Sequence, residues 1–203
     1  MRYLPLHFDL QGRDVLVVGG GEIARRKIEL LLRSGANITV VAPNISDSVA
    51  SILQENSHAL NAAAYDLGFL PGKCLVVAAT DDVNVNKAVS KDAKSLGIPV
   101  NVVDSPELCT VTFPAIIDRE PLVISVGSAG LAPVLTRFVR ELIERTLPER
   151  ISILAEYLGS RRAKLKNSFV DIESRRRRTE AFMESPGAEL AMSSQAKKAD
   201  FHL

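Results

Sequence analysis

Cysteine, histidine and aromatic residues are scarce in this 203-residue chain, and each scarcity excludes a class of protein. The two cysteines, Cys74 and Cys109, form no CxxC pair and no zinc spacing, so a reducing compartment fits best. His7, His58 and His202 form no spaced cluster, and we therefore expect no resident metal. Aromatic residues make up only 5%, which argues against an aromatic-interleaved nucleic-acid surface.

Long apolar runs are also missing. No stretch approaches the length of a membrane span, and the N-terminal residues lack the apolar core of a secretion signal. The formal net charge of +1 indicates no particular partner. We therefore expect a cytoplasmic protein that contacts neither membrane nor nucleic acid. Apolar residues make up 46%, which is enough to bury a core.

The first half of the chain alternates β-branched apolar runs with amphipathic stretches. Such alternation predicts an α/β fold, a Rossmann-like doubly wound parallel sheet with helices on both faces. Ligands of this fold bind beyond the carboxyl ends of the strands. We predict strands within residues 14–20, 37–43, 60–64, 74–80 and 98–104, and helices within 22–35, 45–53 and 81–97.

The pattern changes near residue 112. The stretch "TFPAIIDREPLVISVGS" predicts a hairpin, and "LAPVLTRFVRELIERTL" predicts one amphipathic helix. From Pro148 onward the pattern indicates helices with a break near Gly187, and we expect the polar end, "SSQAKKADFHL", to be disordered. This second module is small, which suggests that it completes its hydrophobic core by packing against another subunit.

A glycine turn joins the first strand to the first helix. Gly19, Gly21 and Ala24 match G-x-G-x-x-G/A, in which a tight turn and a free helix N-terminus hold a pyrophosphate. A turn that merely packs helix on strand is the alternative. The acid that usually holds the ribose is missing from "VVAPN", and no arginine marks a 2′-phosphate, so local chemistry leaves NAD and NADP open.

Several stretches together resemble one family. "GGGEIARRK", "VVAATDDVNVNKAVS", "NVVDSPELCTVTFPAIIDREPLVISVGSAG" and "RRRRTEAF" resemble the amino-terminal module of siroheme synthase, over about residues 3–190. The resemblance implies precorrin-2 dehydrogenase activity with NAD as the hydride acceptor. It also implies, in many members, sirohydrochlorin ferrochelatase activity, with ferrous iron as a substrate. Family members also lack the acid after the second strand, which favours NAD.

The resemblance further implies an arrangement of domains in a homodimer. It places an NAD-binding Rossmann domain at 1–112, a dimerisation region at 113–147 and a helical C-terminal domain at 148–203. Family members are sometimes fused to a methyltransferase, for which we expect no room within these 203 residues.

The same resemblance assigns residues to the site. The key carboxylate falls on Asp104, and the active-site serine falls on Ser128. The cofactor contacts fall on residues of three strand ends: Gly19, Gly21, Glu22 and Ile23, then Pro43 and Asn44, then Thr80 and Asp81.

Each of these assignments has a chemical reason and an alternative. Asp104, at a strand's carboxyl end, could accept the proton that accompanies hydride transfer, and later assist metal insertion, or it could only cap the next turn. Ser128 lies in a second glycine turn, which could bind a substrate carboxylate or only start a helix. Arg137 and Arg140, three residues apart, could bind carboxylates of the tetrapyrrole substrate, precorrin-2 or sirohydrochlorin.

Two further alternatives stay open at the level of function. The basic stretches at 161–166 and 175–178 could line the same pocket or form a solvated face. The protein could be a dehydrogenase alone, with a separate ferrochelatase. It could also be an NAD- or tetrapyrrole-binding regulator without catalysis.

Overall fold

The computed structural model describes residues 3–169 and 171–192. The chain divides between Phe113 and Pro114 into two compact units. The finer division at residue 147 stays a prediction.

The first unit is built on a five-stranded parallel sheet in the order β3-β2-β1-β4-β5. Three helices cover it, and this arrangement confirms the predicted doubly wound fold. The strands are β1 (Asp14–Val18), β2 (Asn37–Val41), β3 (Ala59–Asn61), β4 (Leu75–Ala78) and β5 (Val100–Val102), and the helices are α1 (Glu22–Arg33), α2 (Asp47–Glu55) and α3 (Val83–Ser95).

Side chains of β1 alternate between two cores because successive residues of a strand point to opposite faces. Val15 and Val17 pack with α1 and α2 on one face. Leu16 and Val18 pack with α3 on the other face. Because β1 is buried on both faces, its sequence is a continuous apolar run rather than an alternating one.

The order of the strands reverses beside β1. The chain runs outward from β1 to β2 and β3, then returns to place β4 on the other side of β1, where Val15 pairs with both Ile38 and Leu75. Helices therefore leave the neighbouring strands β1 and β4 toward opposite faces, which opens a crevice at the carboxyl ends of these strands. The glycine turn lies at this point.

The part of the second unit that the structure describes consists of a hairpin and four helices. Antiparallel β6 (Ala115–Arg119) and β7 (Leu122–Val126) confirm the predicted hairpin, and α4 (Pro133–Thr146) packs on both strands. The helices α5 (Ile151–Ser168), α6 (Ile172–Met183) and α7 (Pro186–Met192) follow.

The core of the second unit is small. Leu154, Phe182 and Ala188 form its buried cluster, and Ile117 of β6 is buried as well. Gly187, near which a helix break is predicted, lies inside α7, and the break falls at residues 184–185. The reason is Pro186, which occupies the first position of a helix more readily than an interior one.

Two structural absences concern the described residues. Within residues 3–169 and 171–192, no helix combines the length and the hydropathy needed to cross a bilayer. In the same part of the chain, no group of three or more His, Cys, Asp or Glu side chains is placed to hold a metal ion. His202 lies outside the described residues.

Candidate active site

The glycine turn after β1 leaves no room for side chains at its first two positions. Gly19 has φ +127°, and a Cβ there would lie 2.7 Å from the Ala79 carbonyl carbon and closer still to its oxygen. A Cβ on Gly20 would lie 2.9 Å from Ile45 Cα. Both glycines are therefore required by close backbone packing between the ends of β1, β2 and β4.

Gly21 is different, because the space around it is open. It has an extended conformation, and a Cβ there would meet no atom within 4 Å. Gly21 is also the N-cap of α1 and makes no side-chain hydrogen bond, whereas Ser46 caps α2 and Asp82 caps α3. The first N–H groups of α1 therefore face open space, as an anion-binding helix terminus requires.

A cavity of about 220 Å³ opens at this turn. Its lining brings together the cofactor residues predicted from the sequence, with the addition of Gly20 and Ala79. The lining consists of Gly19, Gly20, Gly21, Glu22, Ile23, Pro43, Asn44, Ala79, Thr80 and Asp81. The open Gly21, the uncapped helix and this convergence of three strand ends fit a dinucleotide.

A buried asparagine, which the sequence analysis missed, holds the loop after β4. Asn86 is only 7% exposed, and its Nδ2 donates to the Thr80 carbonyl oxygen at 2.9 Å. The Thr80 hydroxyl lies 2.9 Å from Asn86 Oδ1. This reciprocal pair sets the conformation of Thr80, which lines the cavity. The only signal in the sequence is a polar residue at a buried helical position of α3.

The negative charge of Glu22, in the first turn of α1, is compensated by two arginines of the same helix. Arg25 Nε donates to Glu22 Oε2 at 2.8 Å, and Arg26 Nε donates to Oε1 at 3.2 Å. Hydrogen bonding to Arg25, with a smaller contribution from Arg26, lowers the pKa of Glu22 to about 2. The two cations thereby reduce the repulsion between this carboxylate and an anion at the helix terminus.

Asp104 lies in a left-handed turn directly after β5. Its φ is 57°, which only a few per cent of non-glycine residues adopt and which Asp tolerates better than most. The side chain is exposed, and among the described residues no hydrogen bond or ion pair engages its carboxylate. The capping alternative is therefore not what the structure shows. Asp104 lies at the same edge of the sheet as the cofactor cavity, since β4 and β5 are parallel neighbours.

The thiol of Cys109 holds the turn that carries Asp104. The Val102 N–H donates to Cys109 Sγ at 3.1 Å, and Sγ lies 3.2 Å from the Val102 carbonyl oxygen and 3.3 Å from that of Ser105. Burial raises the pKa of Cys109, so the thiol keeps the proton with which it can donate. Cys109 therefore holds the backbone both before Asp104, at Val102, and after it, at Ser105.

Lys27 is a second residue that the sequence analysis left without a role. It follows the glycine motif in "GGGEIARRK", is half-buried on α1, and its Nζ lies 4.4 Å from the centre of the Phe113 ring. Burial lowers the pKa of Lys27, and the charge of the Asp104 carboxylate opposes this shift only in part. Lys27 therefore places a cation over Phe113, in the region that the Asp104 charge influences.

Ser128, in the second unit, is engaged with the start of α4. Its Oγ accepts a hydrogen bond from the Ala132 N–H at 3.1 Å and lies 2.9 Å from the Thr136 hydroxyl. The next residue, Ala129, has φ 56°. These contacts agree with a helix-starting turn, and the left-handed residue beside Ser128 is a local strain of the kind found at functional sites.

The two α4 arginines predicted to bind the substrate have different environments. Arg140 Nη1 forms an ion pair with Glu144 at 2.9 Å, and Arg119 Nη2 binds the other oxygen of Glu144 at the same distance. Arg137 is exposed, and no ion pair engages it among the described residues. Arg137 is therefore the freer of the two to meet an external anion.

Two of the four arginines at 175–178 form ion pairs with glutamates of their own helix, α6. Arg176 pairs with Glu180 at 2.6 Å, and Arg177 pairs with Glu173 at 2.5 Å. These contacts are between exposed side chains one helical turn apart, which favours a solvated helix face over a pocket.

The fold and the cavity together define a class: a dinucleotide-binding protein with a doubly wound sheet and an acidic residue near its cofactor cavity. The model of an NAD(P)-binding family matches residues 6–115, more than half of the chain, and the chain belongs to that family. The predicted dinucleotide cofactor is thereby confirmed as an NAD(P) ligand. The model of the sirohaem synthase dimerisation region matches residues 150–203.

Relatives named siroheme synthase are similar over nearly the whole of this chain. That of Stutzerimonas stutzeri (strain A1501) is 45% identical over 200 residues, which cover 98% of the chain. That of Nitrosomonas europaea (strain ATCC 19718) is 42% identical over 204 residues, which cover 100% of it. The chain spans 43% of the length of either relative.

A solved structure has a similar fold. The protein described as "SirC, precorrin-2 dehydrogenase" superposes with a TM-score of 0.73 at 26% identity. The match covers 95% of this chain and 94% of that one. Together with the family models and the relatives, it confirms the resemblance predicted from the sequence.

Proposed function

We propose that the protein oxidises precorrin-2 to sirohydrochlorin with NAD as the hydride acceptor, in siroheme synthesis. The observation that carries the proposal is Asp104, an unengaged carboxylate in a left-handed turn at the same sheet edge as the dinucleotide cavity. The names of the relatives and of the similar solved structure support the substrate. A cytoplasmic location belongs to the same proposal.

The reaction removes one hydride and one proton from the substrate. NAD, when bound, supplies the acceptor for the hydride. The glycine turn and the start of α1 hold its pyrophosphate, and Asn86 fixes Thr80 at the opposite side of the cavity. Asp104 accepts the proton, because its side chain is exposed and no hydrogen bond or ion pair from the described residues engages its carboxylate.

The substrate is rich in carboxylates, so its binding requires cations and N–H groups. Arg137 and Arg140 on α4, with the turn at Ser128, are the candidates in the second unit. Arg137 has no competing ion pair among the described residues, whereas Arg140 is shared with Glu144. The proposal therefore gives Arg137 the larger share of carboxylate binding.

Iron insertion is a second activity that Asp104 could serve. Ferrous iron would enter as a substrate while the pyrrole N–H groups lose protons, and a free carboxylate can accept a proton and hold a hard cation briefly. The name siroheme synthase supports this activity for the relatives. An enzyme limited to dehydrogenation is the alternative.

The proposal includes a homodimer. The match of residues 150–203 to a dimerisation region supports self-association. An apolar stripe on and before α4 supports it independently, because large apolar side chains there are solvent-exposed. This α4 stripe consists of Leu131, Val134, Leu135, Phe138 and Leu142.

Asp104→Asn is the variant that tests the catalytic role. Asn keeps the size of the side chain and tolerates the left-handed backbone, but it cannot act as a base at neutral pH. We expect kcat for precorrin-2 oxidation, followed as NADH absorbance, to fall by about 10²–10⁴-fold. Ferrochelatase activity, measured from sirohydrochlorin and ferrous iron, is expected to fall with it if both reactions use this carboxylate.

Glu107→Gln is the matched control, since Glu107 is an exposed acid three residues further on. It is expected to retain wild-type rates in both assays. A wild-type rate in Asp104→Asn would remove Asp104 from catalysis. Tight binding of NAD and sirohydrochlorin by a wild-type protein that never turns over precorrin-2 would favour the regulatory alternative.

A further inference from the structure

Lys27 is a half-buried cation, and the described residues provide neither a hydrogen bond nor an ion pair to compensate the cost of burying its charge. Removing an ammonium group from water costs free energy unless hydrogen bonds or an opposite charge compensate. Among the described residues, no hydrogen bond and no ion pair engages the Lys27 Nζ. The Nζ lies over the face of Phe113, a cation–π interaction of modest strength.

Lys73 shows how the same unit satisfies another half-buried lysine. Its Nζ donates to the Thr39 hydroxyl at 3.0 Å. Lys73 precedes β4 and so lies toward the amino ends of the strands, away from the cofactor cavity. Both lysines are therefore half-buried. Among the described residues, the Lys73 ammonium group donates a hydrogen bond and the Lys27 ammonium group does not.

The position of Lys27 is defined by elements packed on both sides of it. Its neighbours Ala24 and Ile28 are buried against the sheet, which fixes this stretch of α1. Phe113 packs against the same core. The segment before Phe113 is tied back to β5, where the Asn101 Nδ2 donates to the Val111 carbonyl oxygen at 3.0 Å.

Asp104 is the carboxylate of the same region. The Phe113 ring under Lys27 belongs to the segment tied to Asn101, three residues before Asp104. The Asp104 charge acts on Lys27, yet the two groups form no ion pair among the described residues. Both side chains therefore keep unused hydrogen-bonding capacity: Asp104 as an acceptor and Lys27 as a donor. A ligand that meets Asp104 with an acidic carbon or nitrogen, and that carries carboxylates around it, could use both.

We propose that Lys27 binds a carboxylate of the tetrapyrrole substrate and thereby positions the reacting ring against Asp104. This inference rests on the proposed function. Lysine suits the task, because a compact charge on a flexible stem accepts a carboxylate from more than one direction. Lys27 thus determines substrate binding and orientation, whereas Asp104 takes part in the chemistry.

Lys27→Met tests the proposal, because methionine fills a similar volume over Phe113 and carries no charge. We expect the Kd for sirohydrochlorin, measured by absorbance titration, and the KM for precorrin-2 to rise by about tenfold. That is the change expected for the loss of one hydrogen bond to a charged group. Affinity for NADH, measured by its fluorescence, is expected to stay within about twofold because Lys27 lies outside the cofactor cavity.

Lys27→Arg and Lys73→Met complete the comparison. The arginine variant keeps the charge and should recover part of the lost affinity, which a purely structural role would not predict. Lys73→Met loses a buried hydrogen bond and some stability, but it should bind sirohydrochlorin as wild type does. If Lys27→Met does not fold, Lys27→Gln provides the same neutral comparison.

The outcomes of these measurements distinguish a failure of the Lys27 proposal from a failure of the proposed function. Wild-type turnover together with unchanged Kd and KM in Lys27→Met would overturn the role of Lys27 alone. A fall in kcat with no change in KM or Kd would also overturn it, because it would place Lys27 in the chemical step. A wild-type protein without precorrin-2 turnover would overturn the proposed function and this inference with it.

Discussion

Gly19 is required by the packing of the protein itself, whereas Gly21 is not. Gly19 combines a left-handed φ of +127° with close contact to the Ala79 carbonyl group, so a side chain there is excluded by the protein itself. Gly21 has ordinary extended backbone and open space around it. The protein itself leaves room for a side chain at position 21, and under the proposed function the bound dinucleotide would exclude it.

The two alanine substitutions should separate these reasons. Gly19→Ala should lower the free energy of unfolding by about 1–3 kcal/mol or more, from backbone strain and the clash with Ala79. Gly21→Ala should change stability by no more than about 1 kcal/mol, the loss at a helix cap. It should nevertheless weaken NAD binding by about tenfold, since its Cβ occupies the approach of the pyrophosphate.

Urea unfolding and NADH fluorescence titration provide these two measurements. Gly12→Ala is a useful reference, because Gly12 also has a positive φ but no atom lies near its added Cβ. It reports the cost of the backbone conformation without the clash. Wild-type NAD affinity in Gly21→Ala would place the pyrophosphate elsewhere.

At the scale of the element, α3 connects helix capping to the cofactor cavity. Asp82 Oδ1 accepts hydrogen bonds from the Asn84 N–H at 2.8 Å and the Val85 N–H at 3.3 Å, which starts the helix. One turn later the same helix carries Asn86, the residue that holds Thr80. A secure start of α3 thus contributes to the shape of one wall of the cavity.

Asp82→Ala is expected to lower the free energy of unfolding by about 1 kcal/mol, the usual cost of losing an N-cap side chain. Asp81→Ala is the matched control for stability, because Asp81 is exposed and no hydrogen bond engages its side chain among the described residues. Urea unfolding without cofactor measures both. Equal stabilities of the two variants would show that the cap contributes little.

At the scale of the whole molecule, the described part of the second unit buries few large apolar side chains and exposes several. Leu131 is 89% exposed and Phe138 is 60% exposed, while few apolar side chains of the same unit are buried. Exposed apolar patches of this kind mark interaction surfaces in soluble proteins. A second copy of the chain is the occupant that the proposed homodimer supplies.

Phe138→Asp should weaken that dimer, because it places a charge in the middle of the α4 stripe. In sedimentation velocity the wild type is expected at twice the chain mass of 22.0 kDa, and the variant at the monomer mass. Glu141→Lys, an exposed charge change on the same helix, should remain dimeric. Retained NADH binding would show that Phe138→Asp is folded, and a persistent dimer would exclude this stripe as the interface.

Local patterns in the sequence were sufficient for the elements of the first unit. A strand buried on both faces is a continuous apolar run, and a helix packed on a sheet repeats its apolar residues every three or four positions. The glycine turn was predictable for the same reason, because its conformation depends on adjacent residues. Those regularities determined the doubly wound fold and the residues around the cofactor cavity.

Lys27, Asn86 and Cys109 could not be assigned from the sequence, since each acts on residues distant along the chain. Lys27 lies over the ring of Phe113, 86 residues later, only because α1 and Phe113 pack against the same core in the folded unit. The resemblance named Asp104, but its left-handed backbone and its unengaged carboxylate are properties of the fold. The sequence by itself thus determined the sheet and the glycine turn, through local periodicity and steric demand, whereas the choice of NAD came from the family resemblance. Only the tertiary structure decided that Lys27 lies over the Phe113 ring and that Asp104 takes a left-handed conformation with an exposed side chain, because both depend on burial and on long-range packing.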